Sequence, residues 1–156
     1  MARLYFAEIE RLPDRKAMRA AEHRAGRRLL CRALGRDASH ILLRENGKPY
    51  LPDGPFFSVS HSDGLILLAV SALGEIGCDV ESLSRPLRNE QAIREKIAQP
   101  GDENIPLLTL WVRKEAIFKA GGAGKIFFPV MPEGYVAAVC CTADEALAPA
   151  VRMELP

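Results

Sequence analysis

Only four cysteines, at positions 31, 78, 140 and 141, and three histidines stand in the 156 residues. No two cysteines form a C-x-x-C pair, so no zinc-ligand spacing appears. Each cysteine lies in an apolar stretch and reads as a small core residue. Apolar runs such as Leu65–Val70 are far too short to span a bilayer. Met1–Glu10 carries charges at positions 3, 8 and 10, which does not suit a secretory leader. Low-complexity segments are missing, as is the G-x-S-x-G elbow of serine hydrolases. What remains is the expectation of a soluble, reduced, cytoplasmic protein without membrane contact.

The composition is that of a globular chain, 48% hydrophobic and 26% charged, and its length suits one compact unit of two closely packed halves. The net charge of +1 hides an asymmetry. Residues 1–74 hold 12 Lys/Arg against 8 Asp/Glu, whereas residues 75–156 hold 9 against 12. The excess of base is concentrated in residues 11–36, with 9 basic and 2 acidic side chains. Such a patch is compatible with a solvated helix face or with a polyanionic partner.

Residues 3–9 read as a strand, and Pro13-Asp14 starts a helix over 15–34 that Gly35 ends. Its apolar stripe runs through Met18, Ala21, Ala25, Leu29 and Ala33. A short strand is expected at 41–44, then strands at 56–60 and 65–71 joined by a tight turn at Ser62-Asp63-Gly64. Another strand begins at Cys78–Glu81. A short helix is expected near 89–99, an exposed loop at Pro100-Gly101-Asp102-Glu103-Asn104, a helix over 107–120 and a last strand over 136–141. Strand–helix–strands repeated once argues for an α+β fold with antiparallel sheets, and the expectation is two pseudo-symmetric halves, each a helix packed on antiparallel strands, with any active site at their interface. The halves divide at residues 1–74 and 75–156.

Four groups of residues carry possible chemistry. Asp79 and Glu81 are two apart on a strand and share a face, as the polar side of a half-buried strand or as ligands of a hard cation. Glu115 and Lys119 are four apart on a helix, a spacing that equally suits a surface ion pair. Trp111, one turn earlier, reads as a core anchor. His61 between Ser60 and Ser62 invites a nucleophile–base reading, but adjacent strand residues point to opposite faces, and phosphate binding or turn capping suits this histidine better. Gly121-Gly122-Ala123-Gly124 follows a helix and reads as its cap.

The order and spacing of these groups are more specific than any one of them. Gly47-Lys48-Pro49, Phe57-Ser58-Val59-Ser60-His61-Ser62, Gly77-Cys78-Asp79-Val80-Glu81, Trp111-Val112-Arg113-Lys114-Glu115-Ala116 with Lys119, and Gly122-Ala123-Gly124-Lys125 resemble the successive motifs of the Sfp-type 4′-phosphopantetheinyl transferases. Pro13-Asp14-Arg15 and Ala25-Gly26-Arg27-Arg28-Leu29-Leu30 are similar to their coenzyme-A-binding segments. The stretch between Glu81 and Trp111 is shorter than the family pattern.

The resemblance implies an enzyme of the holo-[acyl-carrier-protein] synthase kind. It would move phosphopantetheine from coenzyme A to a serine of an acyl or peptidyl carrier protein, in fatty acid, polyketide or nonribosomal peptide synthesis, and release 3′,5′-ADP. By matching position, Asp79, Glu81 and Glu115 would hold Mg²⁺, with Glu115 also the base and Lys119 on the pyrophosphate. His61 and Arg27 would meet the 3′-phosphate, and Arg15, Lys48 and Ser60 the nucleotide end. The first half would then be the nucleotide side and the second the metal and catalytic side, in a monomer. A non-catalytic coenzyme A or carrier-binding relative is the alternative. Nucleic acid is not an expected partner, because residues 11–36 contain no aromatic side chain to interleave with the bases.

Overall fold

The computed structural model describes residues 1–156. In chain order the elements are β1 (Ala2–Glu8), α1 (Arg15–Leu34), β2 (Leu42–Leu43), β3 (Pro49–Tyr50), β4 (Phe56–Ser62), β5 (Leu65–Ser71), β6 (Ile76–Ser82), α2 (Glu90–Ile97), α3 (Leu107–Ala120), β7 (Lys125–Phe127), β8 (Tyr135–Cys141) and β9 (Leu147–Arg152). The fold is α+β.

Asp14 starts α1 by accepting the Ala17 N–H at 2.6 Å, and Gly35 ends it in the left-handed region at φ 63°. Between these caps Ala25, Leu29 and Leu30 are buried against Ile66, Leu68 and Val70 of β5. The odd-numbered residues of β5, Leu65, Leu67 and Ala69, pack instead with Ile76, Cys78 and Val80 of β6 and with Ala137, Val139 and Cys141 of β8. Both faces of β5 are therefore covered, which is why it reads as an unbroken apolar run. The even-numbered Ala138 and Cys140 of β8 turn to Val112, Ala116 and Ala120 of α3. Four layers result: α1, the sheet β4-β5-β1-β9, the sheet β6-β8-β7 and α3.

Every ladder is antiparallel except β1–β9, which corrects the expectation of wholly antiparallel strands. Strand β9 leaves the second sheet's neighbourhood and returns to the first, and so long a connection permits parallel pairing. Gly77 is where α3 presses closest on β6: a Cβ there would lie 2.6 Å from the backbone nitrogen of Ala120. Only glycine lets the helix and strand approach so closely.

Two readings of 100–111 need correction. The loop at 100–104 is present and exposed except at Asp102, which is buried, and its carboxylate accepts from both terminal nitrogens of Arg113, at 3.1 and 2.5 Å, and from the Gln99 N–H at 2.7 Å. Arg94 ties the same segment by donating to the carbonyl of Ile105 at 2.8 Å. Trp111 is half-buried rather than a core anchor, with Arg85 and Lys114 lying 5.3 and 5.0 Å from its ring centre. Charged stems cover it because it stands at the edge of the α3 contact face.

Hydrogen bonds from Arg113, then from the Gln99 backbone, hold the Asp102 carboxyl down from 3.8 to about 2. A depressed acid stabilises the fold above its unfolded value, near pH 4, and loses that contribution as pH falls through the folded value, near pH 2. Asp102→Asn is thus expected to lower the urea midpoint at neutral pH, with the gap to the wild type closing between about pH 4 and pH 2. A gap independent of pH would contradict this role.

Candidate functional site

Strand β4 sets out the site because its alternate side chains serve different layers. Phe57, Val59 and His61 face α1, while Ser58, Ser60 and Ser62 face β6. No ladder joins the edge strands β4 and β6. The serine hydroxyls bridge them instead. Ser58 accepts the Cys78 N–H at 3.0 Å, Ser60 the Val80 N–H at 3.2 Å and Ser62 the Ser82 N–H at 3.0 Å. Two of these hydroxyls pass their own protons onward: Ser60 donates to Asp79 Oδ1 at 3.0 Å and Ser62 to Glu81 Oε2 at 3.1 Å.

Asp79 and Glu81 point toward α3, opposite the apolar face of Cys78 and Val80. Lys119 does not pair with Glu115. Its ammonium donates to Asp79 Oδ1 at 2.8 Å and to the Cys78 carbonyl at 3.1 Å. Glu115 has Lys114 beside it at 3.3 Å, and Glu81 is held by Arg85. Burial pushes the Asp79 carboxyl up, against Lys119, and the charge of Glu115 adds to the rise. Burial likewise raises Glu81, against Arg85, with Asp79 adding to it. Burial alone would lower Lys119, but the charge and hydrogen bond of Asp79, with Cys78 and Glu115 adding to them, together hold the ammonium above its ordinary value. Oδ2 of Asp79 is buried with no hydrogen-bond partner. Three carboxylates drawn into one metal cluster are not found in this arrangement.

On the other face of β4 a cavity of about 530 Å³ opens between α1, β4 and the β2–β3 hairpin. His61 and Arg27, taken together from the sequence, both line it, with Glu22 and His23 beside them. The other three nucleotide-side residues lie elsewhere. Lys48 is drawn away by Glu75, at 2.7 Å, and by the Ile76 carbonyl at 2.9 Å. Arg15 lines a second cavity with Arg19 and Asp63, at the start of α1. The Ser60 hydroxyl is committed to β6.

Glu22 is the residue of the cavity wall that the sequence reading missed. It is only 6% exposed, and its Oε2 lies 2.8 Å from His61 Nδ1. A signal existed, since Glu22 is the one acid in α1. Glu75 and Arg85 carried no such signal.

No helix is long and apolar enough to cross a membrane. No family model matches the chain. It is 33% identical over 120 residues to the 4′-phosphopantetheinyl transferase AcpT of Salmonella typhimurium, an alignment covering 69% of this chain and 62% of that protein. With AcpT of Escherichia coli O157:H7 the identity is 35% over 111 residues, covering 63% of this chain and 56% of that one. The chain therefore spans less than two thirds of the length of these curated relatives.

Ser60→Ala would strand the buried Val80 N–H and take a donor from Asp79. Leaving a buried donor unpaired costs about 1–3 kcal/mol. The expected result is an unfolding free energy lowered by that amount, read from a reduced urea midpoint. An unchanged midpoint would mean that the hydroxyl bridge contributes nothing to joining the sheets.

Proposed function

Because the chain belongs to the 4′-phosphopantetheinyl transferases, we propose that it transfers 4′-phosphopantetheine from coenzyme A to a serine hydroxyl of an acyl or peptidyl carrier protein. The observation that carries this reading is the double use of β4. It offers His61 to a cavity of nucleotide size, and its next residues on either side, Ser60 and Ser62, touch the carboxylates of β6. A donor with a nucleotide at one end and a diphosphate near its middle suits a site that is cationic at one end and carboxylate-lined at the other.

In this reading Arg27 and His61 bind the 3′-phosphate end of coenzyme A, and the diphosphate reaches over β4 toward Lys119. The serine oxygen of the carrier attacks the phosphorus next to the pantetheine. The new bond is serine O–P, and the bond broken is that phosphorus to the bridging oxygen, which departs with 3′,5′-ADP. Glu115 takes the serine proton. General-base assistance of this kind contributes on the order of 10²–10⁴ in rate. Lys119, whose ammonium Asp79 keeps charged, offsets the charge that grows on the leaving phosphate.

The residues present fit a hard divalent cation. Carboxylate oxygens are the donors that Mg²⁺ prefers, Oδ2 of Asp79 is without a partner, and burial, helped by a neighbouring carboxylate, raises both strand carboxyls. Asp79, Glu81 and Glu115, which are not gathered into one cluster here, would have to draw together to hold the ion, with Oδ2 of Asp79 the oxygen already without a partner. When bound, Mg²⁺ would neutralise the diphosphate. Both clusters lie within one chain, so a monomer suffices.

Intact-mass measurement of an apo carrier protein incubated with this protein, coenzyme A and Mg²⁺ tests the reading. A gain of one phosphopantetheine, lost on adding EDTA, is expected. Glu115→Gln should slow that gain at least a hundredfold while still binding coenzyme A, and near-normal turnover would remove Glu115 as the base. No gain together with no coenzyme A binding would refute the assignment.

A further inference from the structure

Glu22 is an anomaly on its helix. Every other ionisable side chain of α1, from Arg15 to Arg32, is basic and exposed, apart from the half-buried thiol of Cys31. Burying a carboxylate is costly unless its oxygens are bonded. Oε1 accepts the Gly64 N–H at 3.0 Å, and Oε2 lies within ion-pair reach of His61 Nδ1, at 2.8 Å.

The first bond immobilises the carboxylate. Gly64 sits in the two-residue turn between β4 and β5, where Asp63 and Gly64 have φ of 49° and 87°. A Cβ at Gly64 would come within 2.9 Å of the Ile9 carbonyl, so this turn is hemmed in and its N–H is a fixed donor. Because Oε1 is held by main chain, Oε2 has a fixed position too. His61 follows β4 into the cavity, and its Nδ1 is taken by that fixed oxygen. The remaining nitrogen, Nε2, is left for whatever occupies the cavity. A histidine whose far nitrogen is bonded in this way has its ring orientation and tautomer set by the partner.

We propose that Glu22 is a positioning residue for ligand recognition: it locks the His61 ring so that Nε2 meets an anionic oxygen of the bound nucleotide beside Arg27. The inference rests on the transferase reading, which supplies coenzyme A as the ligand. It accounts for why a lone acid is kept inside a basic helix, beside a cavity that has to attract anions.

The test is a double-mutant cycle read by calorimetry with coenzyme A and 3′-dephospho-coenzyme A. Glu22→Gln preserves shape and an acceptor for Gly64, but presents an amide to Nδ1 where a carboxylate stood. It should weaken coenzyme A binding on the order of tenfold, as expected for loss of a charge-assisted bond, and change 3′-dephospho-coenzyme A binding by less than about twofold. In a His61→Ala background the same substitution should have almost no further effect. Equal losses for both ligands, or a full loss in the His61→Ala background, would overturn the assignment of Glu22. A wild-type protein that binds no coenzyme A would instead overturn the transferase reading beneath it. If Glu22→Gln does not fold, nitrogen NMR of the wild type decides: a proton on Nδ1 of His61 supports the lock, and a bare Nδ1 refutes it.

Discussion

Three hydroxyls stand where a β-ladder would otherwise be. Strands β4 and β6 are edges of separate sheets and run alongside each other in a register of Ser58 with Cys78, Ser60 with Val80 and Ser62 with Ser82. The period of two places all three serines on one face. Each satisfies a backbone donor that would otherwise be orphaned in the interior. A side chain in the gap also sets the strands further apart than main-chain pairing would, so the sheets are joined without merging. The acid cluster depends on this seam, because the serines that join the strands also hold Asp79 and Glu81. The cavity depends on it too, since fixing β4 fixes the opposite face, from which His61 projects.

Local signals survived into the structure where local physics decided them. Helix α1 begins after Asp14 and ends at Gly35 because a carboxylate cap and a left-handed glycine act within a few residues. The pairing of β4 with β5 was legible in the same way, through Asp63-Gly64. Strand β9 was not, for Pro149 breaks its pattern and its residues are mostly half-buried or exposed, as suits an edge. The burial of Asp102 within its loop was not legible, because its partner, Arg113, lies on another element and no spacing rule connects them.

The site shows the same division. Residue types and their order pointed to Asp79, Lys119, His61 and Arg27, and these fall into two neighbouring groups, the first pair in direct contact and the second lining one cavity. The partners were less legible. Lys119 reaches across to Asp79 rather than along its helix to Glu115, because a buried carboxylate attracts an ammonium more strongly than one in water does. Lys48, which lies between Gly47 and Pro49 of the cavity lining, is held by Glu75 at the start of β6. Such choices among partners are made by tertiary contact and leave no mark on spacing.

The return of β9 to the first sheet bears on how the chain assembles. Strand β1 cannot gain its second neighbour until residues 147–152 exist, so the sheet that shapes the cavity closes only after α3 and the second sheet have been synthesised. Contacts between positions so remote in sequence slow the search for the native state. During synthesis the N-terminal layers would wait with one edge bare, and a bare strand edge is open to pairing with other chains until β9 covers it.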